Sequence, residues 1–287
     1  MIRNVIADRL IGHALSEATT TALLHLVAQD TDPLMQHPPI AAMFALLPEL
    51  LQGTARIVTP FRAAWTLMYA AIGRLDSLQD GDPMPTEAAS PSTSLGAHYN
   101  LVFATYVLAA SLLDDLAEVV PAARLLRVQR LWSDSMLRMA DGQQHDLASD
   151  GGAYDVSTLA AYQQIAQAKT GATYALAFGG LAMLLTDDAD LITAMVQVGE
   201  IYGTLVQYSD DLHDERTQPN QTVTLPAVLR CLPLATTHSL TQIEAAFWTY
   251  LLPIYQQAAA TALAAFPELQ TPIARLFTDV FAAPDPV

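Results

Sequence analysis

Residues 201–219 read "IYGTLVQYSDDLHDERTQP". Ile201, Leu205 and Tyr208 recur at the spacing of one face of a helix, which predicts an apolar helix. That helix then carries Asp210, Asp211 and Asp214, three aspartates in five positions. On a helix, Asp210 and Asp214 lie about 40° apart and Asp211 about 100° from Asp210, so all three crowd one side. Gln207, three residues before Asp210, joins that side. Neighbouring carboxylates repel unless a cation lies between them. A hard divalent ion fits this need. Magnesium takes one or two carboxylates and completes its shell with waters and phosphate oxygens.

The same periodicity extends outward. "ALSEATTTALLHLVAQ", "TPFRAAWTLMYAAIGRL" and "LAAYQQIAQAKTGATYALAFGG" all carry apolar residues three and four apart. Convincing alternation of β-branched residues is absent. Breaks at "QDTDP", "HPP", "LPE", "TDDAD", "QPNQT" and "FPELQTP" divide the chain into about ten helices. The long interruption is "GDPMPTEAASPSTSL" at 81–95, read as a loop able to close over a site. No repeat or linker splits the chain, so the expectation is one all-α domain over 1–287.

Composition narrows the partners. The chain has 287 residues, 52% apolar, with 13 Lys+Arg against 29 Asp+Glu and a net charge of −16. Nucleic acid and anionic membrane surfaces are excluded as partners by that balance. One cysteine, Cys231, forms no disulfide framework, which points to a cytoplasmic location. The apolar runs near 101–113 and 172–185 fall short of a membrane span and read as buried core helices.

A second acidic pair stands at the end of another apolar helix. "RLDSLQD" at 74–80 puts Asp76 and Asp80 four residues apart on one helical face. Two such clusters, distant in sequence, could face each other across a bundle with metal ions between them. The string "LLDDLAEVV" at 112–120 has similar spacing but reads as a helix end.

These elements together resemble the trans-prenyl diphosphate synthases and the class I terpene synthases that share their helical scaffold. "DSLQD" at 76–80 is similar to the first DDxxD motif, with Ser77 in place of its second aspartate, and "DDLHD" at 210–214 matches the second. "GQQHD" at 142–146, the Lys169–Thr170 pair and "TLP" at 224–226 occur in the family's order. Lys169 is the only lysine of the chain. The resemblance implies an isoprenoid-synthase helical bundle with a central cavity, a homodimer, and three Mg²⁺ ions held by Asp76, Asp80, Asp210, Asp211 and Asp214. It implies that Lys169, with Thr170, grips the diphosphate of a small prenyl substrate, and that Arg74 and Arg216 add to this grip. Gln143, Gln207 and Asp146 would orient carboxylates or waters.

The resemblance fails at one place. Chain-elongating members hold isopentenyl diphosphate in a pocket of basic residues. The corresponding stretch here is "LMQHPP" at 34–39, where only His37 could bear charge, and 81–95 contains no basic residue. A second diphosphate without cations beside carboxylates is prohibitively costly to desolvate. The expected activity is therefore ionisation of one allylic diphosphate, as in bacterial enzymes of the kolavelool synthase type. A C20 substrate, linear or bicyclic such as kolavenyl diphosphate, would give a diterpene alcohol or alkene. Chain elongation, or prenyl transfer to a peptide or indole, are the alternatives. Trp65, Met68, Tyr69 and Ile72 descend from Asp76 on one face as candidate chamber lining, with Trp65 a floor about 16 Å below it. Small Ala71 favours the longer substrate. Tyr69, Phe103, Tyr106, Phe178, Tyr202 and Tyr208 are candidate π-faces for a carbocation.

Overall fold

The computed structural model describes residues 2–81, 94–150, 158–217, 225 and 239–281. Every regular element among them is helical, as the sequence periodicity predicts. Most of the 81–95 loop, the "TLP" phrase apart from Leu225, and Cys231 lie outside the described residues. The chain divides into two compact units, Met1–Leu125 and Leu126–Val287.

The first unit contains α1 (Ile2–Ile11), α2 (Glu17–Gln36), α3 (Pro38–Leu50), α4 (Ala55–Asp80), α5 (Leu95–Ser111) and a 3₁₀ turn at Leu112–Glu118. Ser16 caps α2 by accepting the Thr19 N–H at 3.3 Å. His37 ends α2 and precedes Pro38 and Pro39, whose missing N–H groups cost nothing in the first turn of α3. Helix α4 is the spine, packed on α1, α2 and α5. It buries Phe61, Trp65, Met68 and Ala71. Gly81 stops it in the left-handed region at φ 75°, which makes Asp80 its last residue. Arg9 bridges Asp114 at 3.1 Å and Asp115 at 3.0 Å, so the acidic string of the 3₁₀ turn serves a structural ion pair.

Helix α5 differs from its expectation as a buried core helix. It packs Leu101, Val102 and Leu108 inward, yet Phe103 is 67% exposed, so that ring faces solvent and is no π-wall for a carbocation. With its 3₁₀ extension, Leu95–Glu118 is long and apolar enough to cross a membrane by length and composition, and 44% of its apolar window is buried in the protein. An apolar run specifies burial on one face only when the polar residues mark the other, and α5 carries no charged residue.

The second unit holds α6 (Ala122–Asp150, whose first turn contains the division), α7 (Leu159–Ala166), a π turn (Gln167–Gly171), α8 (Ala172–Leu185), α9 (Ala189–Thr217), α10 (Leu240–Ala262) and α11 (Pro267–Phe281). Helix α8 is apolar on all sides and almost wholly buried, the mark of a central helix. Its closest partner is α9. A Cβ at Gly199 would fall 2.9 Å from both the Ala175 Cα and the Phe178 Cβ, so only glycine allows this approach. Phe178 and Tyr202 pack at 5.5 Å, and Tyr202 also meets Phe277 and Phe281, forming a solid aromatic core. A Ser239–Gln242 capping box starts α10.

Candidate active site

The second unit gathers residues that the sequence singles out from three separate stretches. The π turn is the centre of this arrangement. It adds a residue to the run from α7 to α8 and carries Lys169 and Thr170. Such turns recur at functional sites because they break helical register and re-aim side chains. Two motif glycines hold the turn. A Cβ at Gly142 of α6 would stand 2.7 Å from the Lys169 backbone N and 2.8 Å from the Ala168 Cβ. A Cβ at Gly203 of α9 would stand 2.8 Å from the Thr170 carbonyl oxygen and 2.9 Å from the Gly171 Cα. Both separations are closer than real side chains tolerate, so these glycines are required for packing.

Lys169 donates from Nζ to Asp146 at 2.7 Å, with 14% of its side chain exposed. The pair joins the GQQHD stretch to the π turn and fixes where the ammonium points. One residue on, the Thr170 hydroxyl donates to the Gln207 carbonyl oxygen. Gln207 in turn donates to Asp211 Oδ1 at 2.8 Å. Asp211 Oδ2 accepts the Tyr162 hydroxyl, and it accepts the Leu225 backbone N–H at 2.7 Å. Tyr162 stacks on Tyr208 at 5.5 Å, and the Tyr208 and Tyr255 hydroxyls lie 2.9 Å apart. Burial pushes the Asp211 carboxyl up to about 6, against the hydrogen bonds from Tyr162, Leu225 and Gln207 and the charge of Lys169. Burial, with Asp211 close by, raises the Tyr162 phenol well above its ordinary value.

Asp211, expected as a metal ligand, is engaged by the protein itself in this structure. It is 5% exposed, and both of its oxygens already accept protein donors. It suits a group that positions its neighbours. Asp210 beside it is partly buried, Asp76 is partly buried and Asp80 is exposed. Their carboxylates are the hard oxygen donors that magnesium prefers. Among the described residues no three His, Cys, Asp or Glu side chains converge into a metal cage. Magnesium needs only one or two protein carboxylates and takes its other ligands elsewhere, and these donors suit it. The side chains of Asp214 and Arg216 lie outside the described residues.

The first unit corrects the expectation for Arg74. Arg74 is about 160° around α4 from Asp76. Its Nε and Nη2 each donate to Asp30 at 2.8 Å, and its side chain is 7% exposed. A guanidinium held in this bidentate way is already neutralised and is not a free diphosphate ligand. Trp65 is fully buried, stacked on Tyr69 at 4.9 Å and edge-on to Phe44 at 5.4 Å. Ile72 is partly buried, Ala71 is buried, and Gln143 of α6 is 7% exposed.

Sequence reasoning missed Tyr162. Its signal is its place seven residues before Lys169, two turns away on one face. The "TLP" phrase gains a physical reason, since the Leu225 N–H is an Asp211 donor.

Comparison with known proteins follows this geometry. A family model described as Polyprenyl synthetase matches residues 93–223. No curated protein matches the sequence. Similar solved structures include a geranylgeranyl pyrophosphate synthetase from the archaeon Geoglobus acetivorans, at TM-score 0.71 and 15% identity, covering 99% of each chain. A geranyltransferase from Legionella pneumophila matches at TM-score 0.69 and 18% identity, over 97% of this chain and 93% of that one. A polyprenyl synthase from Caulobacter crescentus CB15, complexed with calcium and isoprenyl diphosphate, matches at TM-score 0.69 and 18% identity, over 98% and 93%. The chain has the all-α fold of the isoprenyl synthases.

Proposed function

We propose that the protein is a magnesium-dependent enzyme acting on an allylic prenyl diphosphate, and that it ionises one such substrate as a class I terpene synthase. The observation that carries the reading is the π turn. It presents the only lysine of the chain, fixed by Asp146, one residue from the Thr170–Gln207–Asp211 network. In this reading Asp76, Asp80, Asp210 and Asp214 are the magnesium ligands, and Lys169 binds diphosphate oxygens. Magnesium would supply stabilisation of the negative charge that develops as the allylic C–O bond breaks. Lys169 contributes the same stabilisation from a fixed position, and a donor held in place needs no reorganisation as the charge develops. Thr170, Gln207 and Asp211 hold the Asp210 turn of α9 against the π turn. The fold and the family match support a prenyl diphosphate substrate.

The single-substrate reading rests on the cations. Among the described residues, Arg3, Arg9, Arg74, Arg127, Arg138 and Lys169 are each engaged by carboxylates. Arg56, Arg62, Arg124, Arg130 and Arg275 are the other described cations from which a second diphosphate site would have to be built. Chain elongation is the second reading, favoured by the synthase and transferase names of the similar structures. One experiment separates them. The protein is incubated with magnesium and C10, C15, C20 or bicyclic C20 diphosphates, with and without isopentenyl diphosphate. We expect a hydrocarbon or alcohol, and diphosphate release, without isopentenyl diphosphate. A longer prenyl diphosphate, formed only when isopentenyl diphosphate is present, supports elongation instead. The cytoplasmic location and homodimer remain part of this proposal.

A further inference from the structure

In the first unit, α2 and α4 leave a cleft of about 320 Å³ beside the first acidic motif. Pro33 and Leu34 of α2 and Tyr69 and Gly73 of α4 form its walls. Its volume is at the lower end of small-molecule sites, which run from about 300 to 1,000 Å³. Residue 73 of the lining adds no side chain to this space. A Cβ built there meets nothing within 4 Å. The α4 wall is stiff, since Tyr69 stacks on Trp65 at 4.9 Å and an interplanar angle of 15°.

The charges of the cleft select its occupant. Among the described residues its only cation is Arg74 and its only carboxylate is Asp30, so the described lining has no net charge in a chain of −16. Each cancels the other through two hydrogen bonds of 2.8 Å. An anion gains no uncommitted cation here, and a cation gains no uncommitted carboxylate. Of the turn Asp76–Asp80, only Ser77 lines the cleft, and it brings a hydroxyl. Gln29 and the Tyr69 phenol are the other neutral hydrogen-bonding groups among the lining residues. Tyr69 and Gly73 also lie about 20° and 60° around α4 from Asp76, so the cleft opens next to the acidic face.

We propose that this cleft is a binding site for an uncharged, chiefly apolar molecule with one hydrogen-bonding end, seated against Tyr69 and Gly73 and held by Ser77 or Gln29. Prenyl alcohols and indole-like aromatics share this chemistry. The site needs no metal, so it stands or falls apart from the reaction proposed above.

The test uses the full chain in EDTA and the uncharged fluorophore N-phenyl-1-naphthylamine. We expect saturable binding at one site. Gly73→Leu fills the cleft and improves helix propensity. It should weaken the probe at least tenfold with an unchanged or higher Tm. Ser77→Asp brings a carboxylate to the rim and should weaken it severalfold. Displacement by geraniol and not by indole assigns a prenyl alcohol, and the reverse assigns an aromatic acceptor. Three results overturn the site. They are no saturable binding, binding indifferent to both substitutions, or displacement by isopentenyl diphosphate at lower concentration than by isopentenol.

Discussion

The two acidic motifs look alike on paper and sit in contrasting surroundings. Asp76 and Asp80 close α4, where Asp80 is exposed and the helix stops one residue later at Gly81. Asp210 and Asp211 lie within α9, and Asp211 is buried under donors from Tyr162, Gln207 and Leu225. Like charge in sequence thus serves two ends. In the first motif only Asp80 is exposed, while Asp76 is partly buried. In the second, Asp210 is partly buried and Asp211 holds the Leu225 backbone and the Gln207–Thr170 link in place.

The largest effect expected from breaking this division is on turnover. In the function proposed, Asp210→Asn and Lys169→Met each remove a group that acts on the diphosphate, directly or through magnesium, and a loss of about 10²–10³-fold in kcat is expected. Apo Tm should move little for Asp210→Asn. Steady-state kinetics with pyrophosphate detection, paired with thermal melts, checks both halves. An Asp210→Asn protein with full kcat would remove the second motif from the chemistry.

Stability should separate Asp211 from Asp80. Asp211→Ala leaves the Tyr162 hydroxyl, Gln207 and the Leu225 N–H without their acceptor. Each buried orphan costs ~1–3 kcal/mol, offset in part by relief of a buried charge, so a net loss of about 3–4 kcal/mol is expected. Asp80→Ala at an exposed helix end should change stability by less than about 0.5 kcal/mol. Urea unfolding of both variants measures the gap, and equal values would mean that Asp211 is no hub.

The pH dependence sharpens the same contrast. The Asp211 carboxyl rises from 3.8 to about 6 on folding, chiefly through burial. Between those values the folded state holds more protons than the unfolded state, so stability falls as pH rises through the window. Above about pH 6 the full penalty is present, on the order of 3 kcal/mol. Asp211→Asn abolishes the titration and keeps an acceptor for Tyr162 and Leu225. In metal-free buffer, the difference in unfolding free energy between wild type and Asp211→Asn should swing toward the variant from pH 4 to pH 7. A flat difference would contradict it.

How much of this was legible in the sequence depends on distance along the chain. The helices were, because three- and four-residue periodicity is a local signal and few strand patterns compete with it. The meeting of Asp146, Lys169, Thr170 and Gln207 was legible only as membership of a shared motif set. The engagement of Asp211 by protein donors was not. Its donors Tyr162 and Leu225 are 49 and 14 positions away, and nothing local marks them as its partners. Arg74 shows the same limit, since Asp30, 44 positions away, decides whether its charge is available. Helix α5 shows another, because its exposed Phe103 and buried Leu101 differ in no feature that composition records.

Glycine reports the difference between the two regions at the level of packing, and it yields the smallest effects. Gly203, seven residues before Asp210, has the Thr170 carbonyl 2.8 Å from where a Cβ would stand. Gly203→Ala must push α9 off the π turn, an overpacking cost of about 1–3 kcal/mol. The shift also moves Lys169, so diphosphate affinity should fall with stability. Gly73, three residues before Asp76, has open space in the same position. Gly73→Ala is therefore expected to stabilise, by about 0.4–1 kcal/mol, because alanine loses less backbone freedom on entering a helix. The pair of alanine variants, compared by urea unfolding, reads the packing around each motif without touching any carboxylate. If Gly203→Ala were as benign as Gly73→Ala, the π turn would have room to move, and the fixed placement of Lys169 on which the reading of the second motif depends would be lost.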